Sequence, residues 1–398
     1  MANRRNEYHR TKQNHSRRLI ISALLIAILG GGILGSYLFH AYHEKDIKQN
    51  IVSKKQQSQT SDSPIEAAPN TSKIAQDPKN DTPAQHKLRA IINKQKLNGI
   101  VISTTVNSNQ PVVVTDGFSN VLTGTVINEH TLFPISSFQK MFTGIILDHL
   151  IAEGKLSLNT RLNKFYPEIR FSDRISIQNL LSHTSGIKSG DIFPVAPLTS
   201  EKSQLEFNQH IMKSTGIFKW SYSSANYALL AGIIVKLTGK SYQANVEQYI
   251  IQPLGLKETY FYNTLPNNPD LAYPENLNTL LAQKVYLADI RRIVSADYGS
   301  GDIFQSASDF YKVLVATENG TLIPKNRLAN FFPGGSRAYT NGMYIQYGLI
   351  HAAAANLNYY GSYYGNTKTL KNTILLTTNG SLQTIRVASV DLYHAINH

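Results

Sequence analysis

Across 398 residues, a hydrophobic content of 42% supplies enough apolar surface for one large packed domain with extensions, which excludes a wholly disordered chain. Zero cysteines exclude disulfides and thiolate metal sites, and the twelve histidines show no paired ligand spacing, so neither a metal nor a cofactor is expected. The formal net charge of +13 speaks to partners rather than to fold, and it is spread unevenly.

The first 18 residues carry Arg4, Arg5, Arg10, Lys12, Arg17 and Arg18 against Glu7 alone, while residues 19–39 contain no charge. That run is long enough to cross a bilayer as a helix, and its basic flank should stay cytoplasmic. The expected arrangement is a cytoplasmic tail over 1–18, a single-pass membrane anchor over 19–39, and an extracellular remainder. A cleaved signal peptide is the rival; no small-x-small site closes the run, which is also longer than an ordinary signal core. Without the tail, +8 remains, a balance suited to an anionic cell envelope or a polyanion. Nucleic acid is not expected as that polyanion, since no Lys/Arg run interleaved with aromatics follows the tail.

Residues 40–85, rich from Glu44 in Lys, Gln, Ser, Thr, Asp, Asn and Pro, read as a disordered extracellular linker. From Ala84 the spacing of Leu88, Ile91 and Ile92 predicts a helix, and the β-branched runs 99–106 and 111–114 predict a hairpin. Residues 137–262 read as mostly helical with Gly/Ser/Pro loops, and strand-like runs return at 372–378 and 385–390. Strand, helices, strand implies an α/β fold of the α+β kind over 86–398: an antiparallel β-sheet flanked by helices, with an inserted all-helical region.

Within that insertion, Ser137-Phe138-Gln139-Lys140 sets a hydroxyl and an amine one helical turn apart, on one face, where the chain turns from loop to helix. A serine is a poor nucleophile until a base takes its proton, and a lysine can do so only when burial or neighbouring cations lower its pKa. The spacing alone is weak, since about two chance matches are expected in a chain of this composition. The other match is Ser185-Gly186-Ile187-Lys188, which has turn composition and no helical run behind it, and reads as structural. Ser137 instead follows an extended apolar approach, 131–135, and precedes an apolar helix, so its N–H should sit at a helix N-terminus, ready for a developing oxyanion.

Further elements follow in order: Leu180 to Gly186, the block Tyr222-Ser223-Ser224-Ala225-Asn226-Tyr227, Ile251 to Leu256, and Gly299 to Asp309. Together with Ser137 and Lys140 they resemble the serine β-lactamase-like family, which includes penicillin-binding proteins, D-alanyl-D-alanine carboxypeptidases and related esterases. The resemblance spans about residues 86–398. It implies an acyl-forming nucleophile at Ser137, a proton relay at Lys140, and a tyrosine base at Tyr222, whose phenol an adjacent ammonium would acidify.

Two departures bear on the substrate. Ser224 stands where the family has asparagine, a shorter group that still reaches toward Lys140 but less far toward a substrate amide. The late family element with a Lys or His has no cationic counterpart; the matching stretch is read as Tyr359-Tyr360-Gly361-Ser362, with Gly361 as the family glycine and the Ser362 N–H as second oxyanion donor. A carboxypeptidase needs a cation for its substrate carboxylate, a contact worth roughly 1.5–3 kcal/mol. Tyrosine faces suit an ammonium instead. D-Alanine esterified to teichoic acid offers an ammonium and no carboxylate, so the resemblance points to the teichoic-acid D-alanine esterases of Gram-positive bacteria, with lipoteichoic acid as partner. The rivals are a D-alanyl-D-alanine carboxypeptidase acting on peptidoglycan and a catalytically silent wall-binding protein.

Overall fold

The computed structural model describes residues 78–104, 110–274, 276–333, 338–366, 373–380 and 382–397. The expected anchor over 19–39 lies outside them; among the described residues no helix is long and apolar enough to cross a membrane. Helix α1 (Pro83–Lys94) begins on a reciprocal cap: Thr82 Oγ1 accepts the Gln85 N–H, the Gln85 side chain accepts the Thr82 N–H, and Pro83 fills the first turn. Asp81 pairs with Arg89 at 2.5 Å, so packed structure reaches a few residues ahead of the expected boundary at 86.

The main sheet comprises β1 (Gly99–Thr104), β2 (Val112–Asp116), β3 (Ala338–Thr340), β4 (Met343–Gln346), β5 (Leu349–Asn356), β6 (Tyr359–Asn366) and β7 (Thr373–Thr378). Their spatial order is β3-β4-β5-β6-β7-β1-β2, and every neighbouring pair is antiparallel. The predicted hairpin is β1 with β2, Gly99 opposite Asp116 and Ser103 opposite Val112. β1 also pairs with β7, Gly99 opposite Thr378, which joins the two ends of the fold within the sheet.

Between β2 and β3 lies the helical region, whose main elements are α2 (Lys140–Ala152), α3 (Ser224–Thr238) and α4 (Ala307–Glu318); α5 (Leu382–Asn397) follows β7. α2 and α3 are apolar almost all round because each is enclosed by other helices. The sheet divides the interior in two. Ile100 and Ile102 point into the large core with Phe142 and Ile145, while Val101 points to a smaller one with Leu88 and Ile92 of α1 and Ile385 and Leu392 of α5. α5 corrects one expectation, since residues 385–390 form helix rather than strand. Ile385, Ala388 and Leu392 are buried at a helical spacing and Val387 is 49% exposed. A short run of β-branched residues does not separate a strand from a helix packed on a sheet.

Candidate active site

The nucleophile's approach, Leu132–Pro134, is a strand held against Ile303–Ser306, and the Ile135 N–H donates to the Ile303 carbonyl at 3.0 Å. The chain then passes through Ser136, buried with φ of +47°, into a 3-10 turn, Ser136–Gln139, that runs directly into α2. Such a conformation costs a non-glycine residue about 1–3 kcal/mol and persists only where the surroundings fix it. Gln139 does the fixing here: its Nε2 donates to Asp302 Oδ1 at 2.5 Å and its Oε1 accepts the Ile303 N–H at 3.0 Å. Gln204 donates to the other Asp302 oxygen at 3.0 Å, and burial raises the Asp302 carboxyl to about 7 against the pull of these two donors. Ser137 thus stands in a first helical turn, where N–H groups lack intrahelical acceptors.

Lys140 is buried, with Nζ 3.3 Å from Ser137 Oγ and donating to the Ser300 carbonyl at 3.1 Å. Tyr222 Oη donates to Ser137 Oγ at 2.7 Å. The structure brings the three expected groups together, and their electrostatics reverse one expectation. Burial lowers Lys140, partly opposed by the charge of Asp297, whereas burial raises Tyr222 despite its bond to Ser137. The amine, not the phenol, is the group more readily found as a free base.

The Tyr222 loop is seated on His183. The His183 Nδ1 accepts the Ser223 N–H at 3.3 Å and lies 3.0 Å from Asn226 Nδ2, and its ring packs 4.4 Å from that of Tyr222 and 4.6 Å from that of Tyr339. Burial and the nearby Lys140 hold His183 well below its ordinary value, so it serves as a neutral acceptor. Ser185 has the structural role expected of it, donating to Asn226 Oδ1 at 2.5 Å and accepting the Ile187 N–H at 3.0 Å.

These groups open into a cleft of about 280 Å³ lined by Ser137, Lys140, Tyr222, Ser224, Lys188, Asp191, Asp297, Ala355 and Asn356, among others. Ser224 is on the wall as expected, but among the described residues no hydrogen bond joins it to Lys140. The late element is where the sequence reading fails. Tyr359, Gly361 and Ser362 lie on β6, one strand behind the cleft, and the strand that borders it is β5. Tyr359 is buried against Phe133 and Tyr286. Ser362 sits between Ala353 of β5 and Leu376 of β7, with its backbone in the ladder. Gly361 is small for another reason: a Cβ there would lie 2.3 Å from the ring of Phe138, the second residue of the Ser-x-x-Lys turn. Ladder pairing on the β4 side of β5 ends at His351, so the edge of Ala352 to Asn356 lies beyond it.

Two residues went unread. Asp297, just ahead of the Gly299 element, is a half-buried carboxylate on the cleft wall whose pKa desolvation raises and the charge of Lys140 lowers. Asn356 Nδ2 donates to Asp297 Oδ2 at 3.4 Å. The remaining signal was the alanine run 352–355, too plain to mark a site. Among the described residues no group of His, Asp or Glu is arranged to hold a metal ion.

The sequence profile of the beta-lactamase family matches residues 84–384. PbpX of Bacillus subtilis is 29% identical over 247 residues, 61% of either chain, and a teichoic acid D-alanine hydrolase of Staphylococcus aureus is 29% identical over 266 residues, 64% of this chain and 62% of that one. The chain thus matches about three fifths of the length of these curated relatives. A D-amino acid amidase from Ochrobactrum anthropi superposes with a TM-score of 0.67 over 79% of this chain and 99% of its own, at 18% identity. The FmtA structure from Staphylococcus aureus gives 0.63 over 87% and 94%, at 21% identity. Fold, profile and the order of motifs agree, and the chain belongs to the beta-lactamase family.

Proposed function

We propose that this protein is a membrane-anchored extracellular serine esterase that removes D-alanyl esters from lipoteichoic acid through an acyl-enzyme on Ser137. The observation that carries the reading is one hydroxyl held 2.7 Å from Tyr222 Oη and 3.3 Å from Lys140 Nζ, in a cleft whose strand wall is Ala355 and Asn356 and whose inner wall carries the half-buried carboxylate of Asp297. Ser137 Oγ attacks the ester carbonyl while the neutral amine of Lys140 accepts its proton. The Ser137 N–H meets the developing oxyanion, with the edge of β5 supplying the facing donor. Tyr222 gives its proton to the departing polyol oxygen and recovers one from Lys140. Water then attacks the acyl-enzyme by the same route in reverse.

Substrate choice rests on charge. The aromatic faces expected to hold an ammonium lie outside the cleft, and Asp297 takes their place as the group suited to the free amine of a D-alanyl ester. That a relative is named a teichoic acid D-alanine hydrolase supports the same substrate. Lys188 on the rim favours the second reading, a D-alanyl-D-alanine carboxypeptidase, since it is the cation a carboxylate would seek. The anchor over 19–39 and the extracellular placement belong to this proposal.

The direct test is covalent. Acid quenching during turnover of D-alanylated lipoteichoic acid, followed by peptide mapping, should find D-alanine on the Ser137 peptide and none in Ser137→Ala. Steady D-alanine release with that peptide never modified would overturn the mechanism.

A further inference from the structure

One rim of the cleft is a short ribbon in which Ile187–Lys188 pairs antiparallel with Lys213–Ser214, setting Lys188 directly across from Lys213. Like charges in that relation destabilise a pair of strands. The crowding extends further. Ser214 Oγ donates to the Arg170 carbonyl at 2.6 Å, which ties the ribbon to the segment carrying Arg170 and Arg174. The Arg170 guanidinium lies 4.5 Å from the centre of the Phe171 ring, and that of Arg174 lies 4.7 Å from the Phe218 ring, next to Lys219. All five cations are exposed. Among the described residues none has a carboxylate within ion-pair distance, although Glu168, Asp173 and Asp191 lie on the same segments.

Five uncompensated cations on connected segments, two of them arginines whose guanidinium lies over an aromatic ring, make a surface whose mutual repulsion an anion would relieve. A guanidinium held over a ring by a cation–π contact keeps its N–H donors available for phosphate oxygens. Lys188 lines the cleft itself, so the charged surface begins at the catalytic groups and runs outward. We infer that Arg170, Arg174, Lys188, Lys213 and Lys219 bind the phosphodiesters of a polyol-phosphate chain, holding successive phosphates on one side of the ester that enters the cleft. The assignment rests on the proposed substrate and gives Lys188 a phosphate, rather than a carboxylate, as its ligand. It also predicts that the enzyme prefers a polymer to a short ester through KM, with kcat set by Ser137, Lys140 and Tyr222.

Binding is tested apart from catalysis, in the full-length Ser137→Ala protein with alanine-free poly(glycerol phosphate) titrated at several salt concentrations. Adding Arg170→Gln, Lys213→Gln and Lys219→Gln should weaken binding at least about tenfold and flatten the dependence of log affinity on log salt by roughly two, as lost phosphate contacts do on other polyanions. With Ser137 restored, the same triple variant should hydrolyse a small D-alanyl ester at the unaltered rate while its KM for the polymer rises. Unchanged affinity and slope in the triple variant would overturn the inference, as would anionic phospholipid vesicles outcompeting the polymer for these residues. Loss of polymer binding leaves the esterase reading standing, and a protein that binds the polymer yet cleaves no D-alanyl ester would sink the esterase reading alone.

Discussion

The two walls of the cleft are built by opposite means. On one side Lys140 and Tyr222 each lie within 3.3 Å of Ser137 Oγ, an arrangement fixed by Gln139, Asp302 and His183. On the other, β5 contributes the backbone edge of an alanine run and a single polar side chain, Asn356. The first wall has little freedom to vary, because each group's proton affinity depends on its neighbours' burial. The second fixes shape and withholds charge. On the proposed function, reactivity belongs to the helical wall and substrate choice to the strand wall together with Asp297.

The largest expected effect sits on the helical wall. Ser137→Ala should abolish D-alanine release while leaving the melting temperature and polymer binding intact, as measured by release assay and calorimetry; activity surviving in that variant would remove the whole assignment. Lys140→Ala and Tyr222→Phe should each lower kcat by about 10²–10⁴, and the double variant should be no worse than the poorer single one, because the two act as a unit. Additive losses would mean that they serve separate steps.

The pH profile sharpens the same comparison. A base is active when unprotonated, so kcat/KM should rise with pH as Lys140 loses its proton. Because burial lowers Lys140, that rise should be centred well below the ordinary lysine value of 10.5. It should be absent from a Lys140→Ala protein, whose residual rate is followed across the same range. A rise centred at the ordinary value would return the base role to another group.

On the strand wall effects are smaller and concern selectivity. Ala355→Lys introduces a cation beside the substrate amine and should lower kcat/KM for a D-alanyl ester by about tenfold, while Asp297→Asn should weaken ammonium-bearing esters more than their N-acetylated forms. Equal losses on both esters would confine Asp297 to a structural role. Smallest of all, Tyr359→Phe should leave turnover within about twofold, since its ring packs on Phe133 and Tyr286 outside the cleft.

The contrast between the walls also explains what the sequence made legible. Ser137, Lys140 and Tyr222 were found because their chemistry demands particular residue types at short spacing, and an apolar helix behind them gave context. β5 was missed because backbone edges carry no side-chain signature, and the tyrosine-rich β6 drew the assignment one strand too far. Asp297 escaped because a carboxylate stands out only when it faces a cleft beside a buried amine, and that placement is settled by segments distant in sequence. The same holds for residues 385–390, whose packing on the sheet decided for helix against a strand-like composition. The hairpin of β1 and β2 and the interior strand β7 were legible, because continuous β-branched runs suit strands with apolar packing on both faces.

The central claim, that this cleft takes a D-alanyl ester on a polyol-phosphate chain, is tested most directly by offering the full-length enzyme purified D-alanylated lipoteichoic acid and pentapeptide muropeptides in parallel and measuring free D-alanine. The account predicts release from the lipoteichoic acid, dependent on Ser137, and none from the muropeptides. Release from the muropeptides with the lipoteichoic acid left intact would contradict it and establish the carboxypeptidase reading in its place.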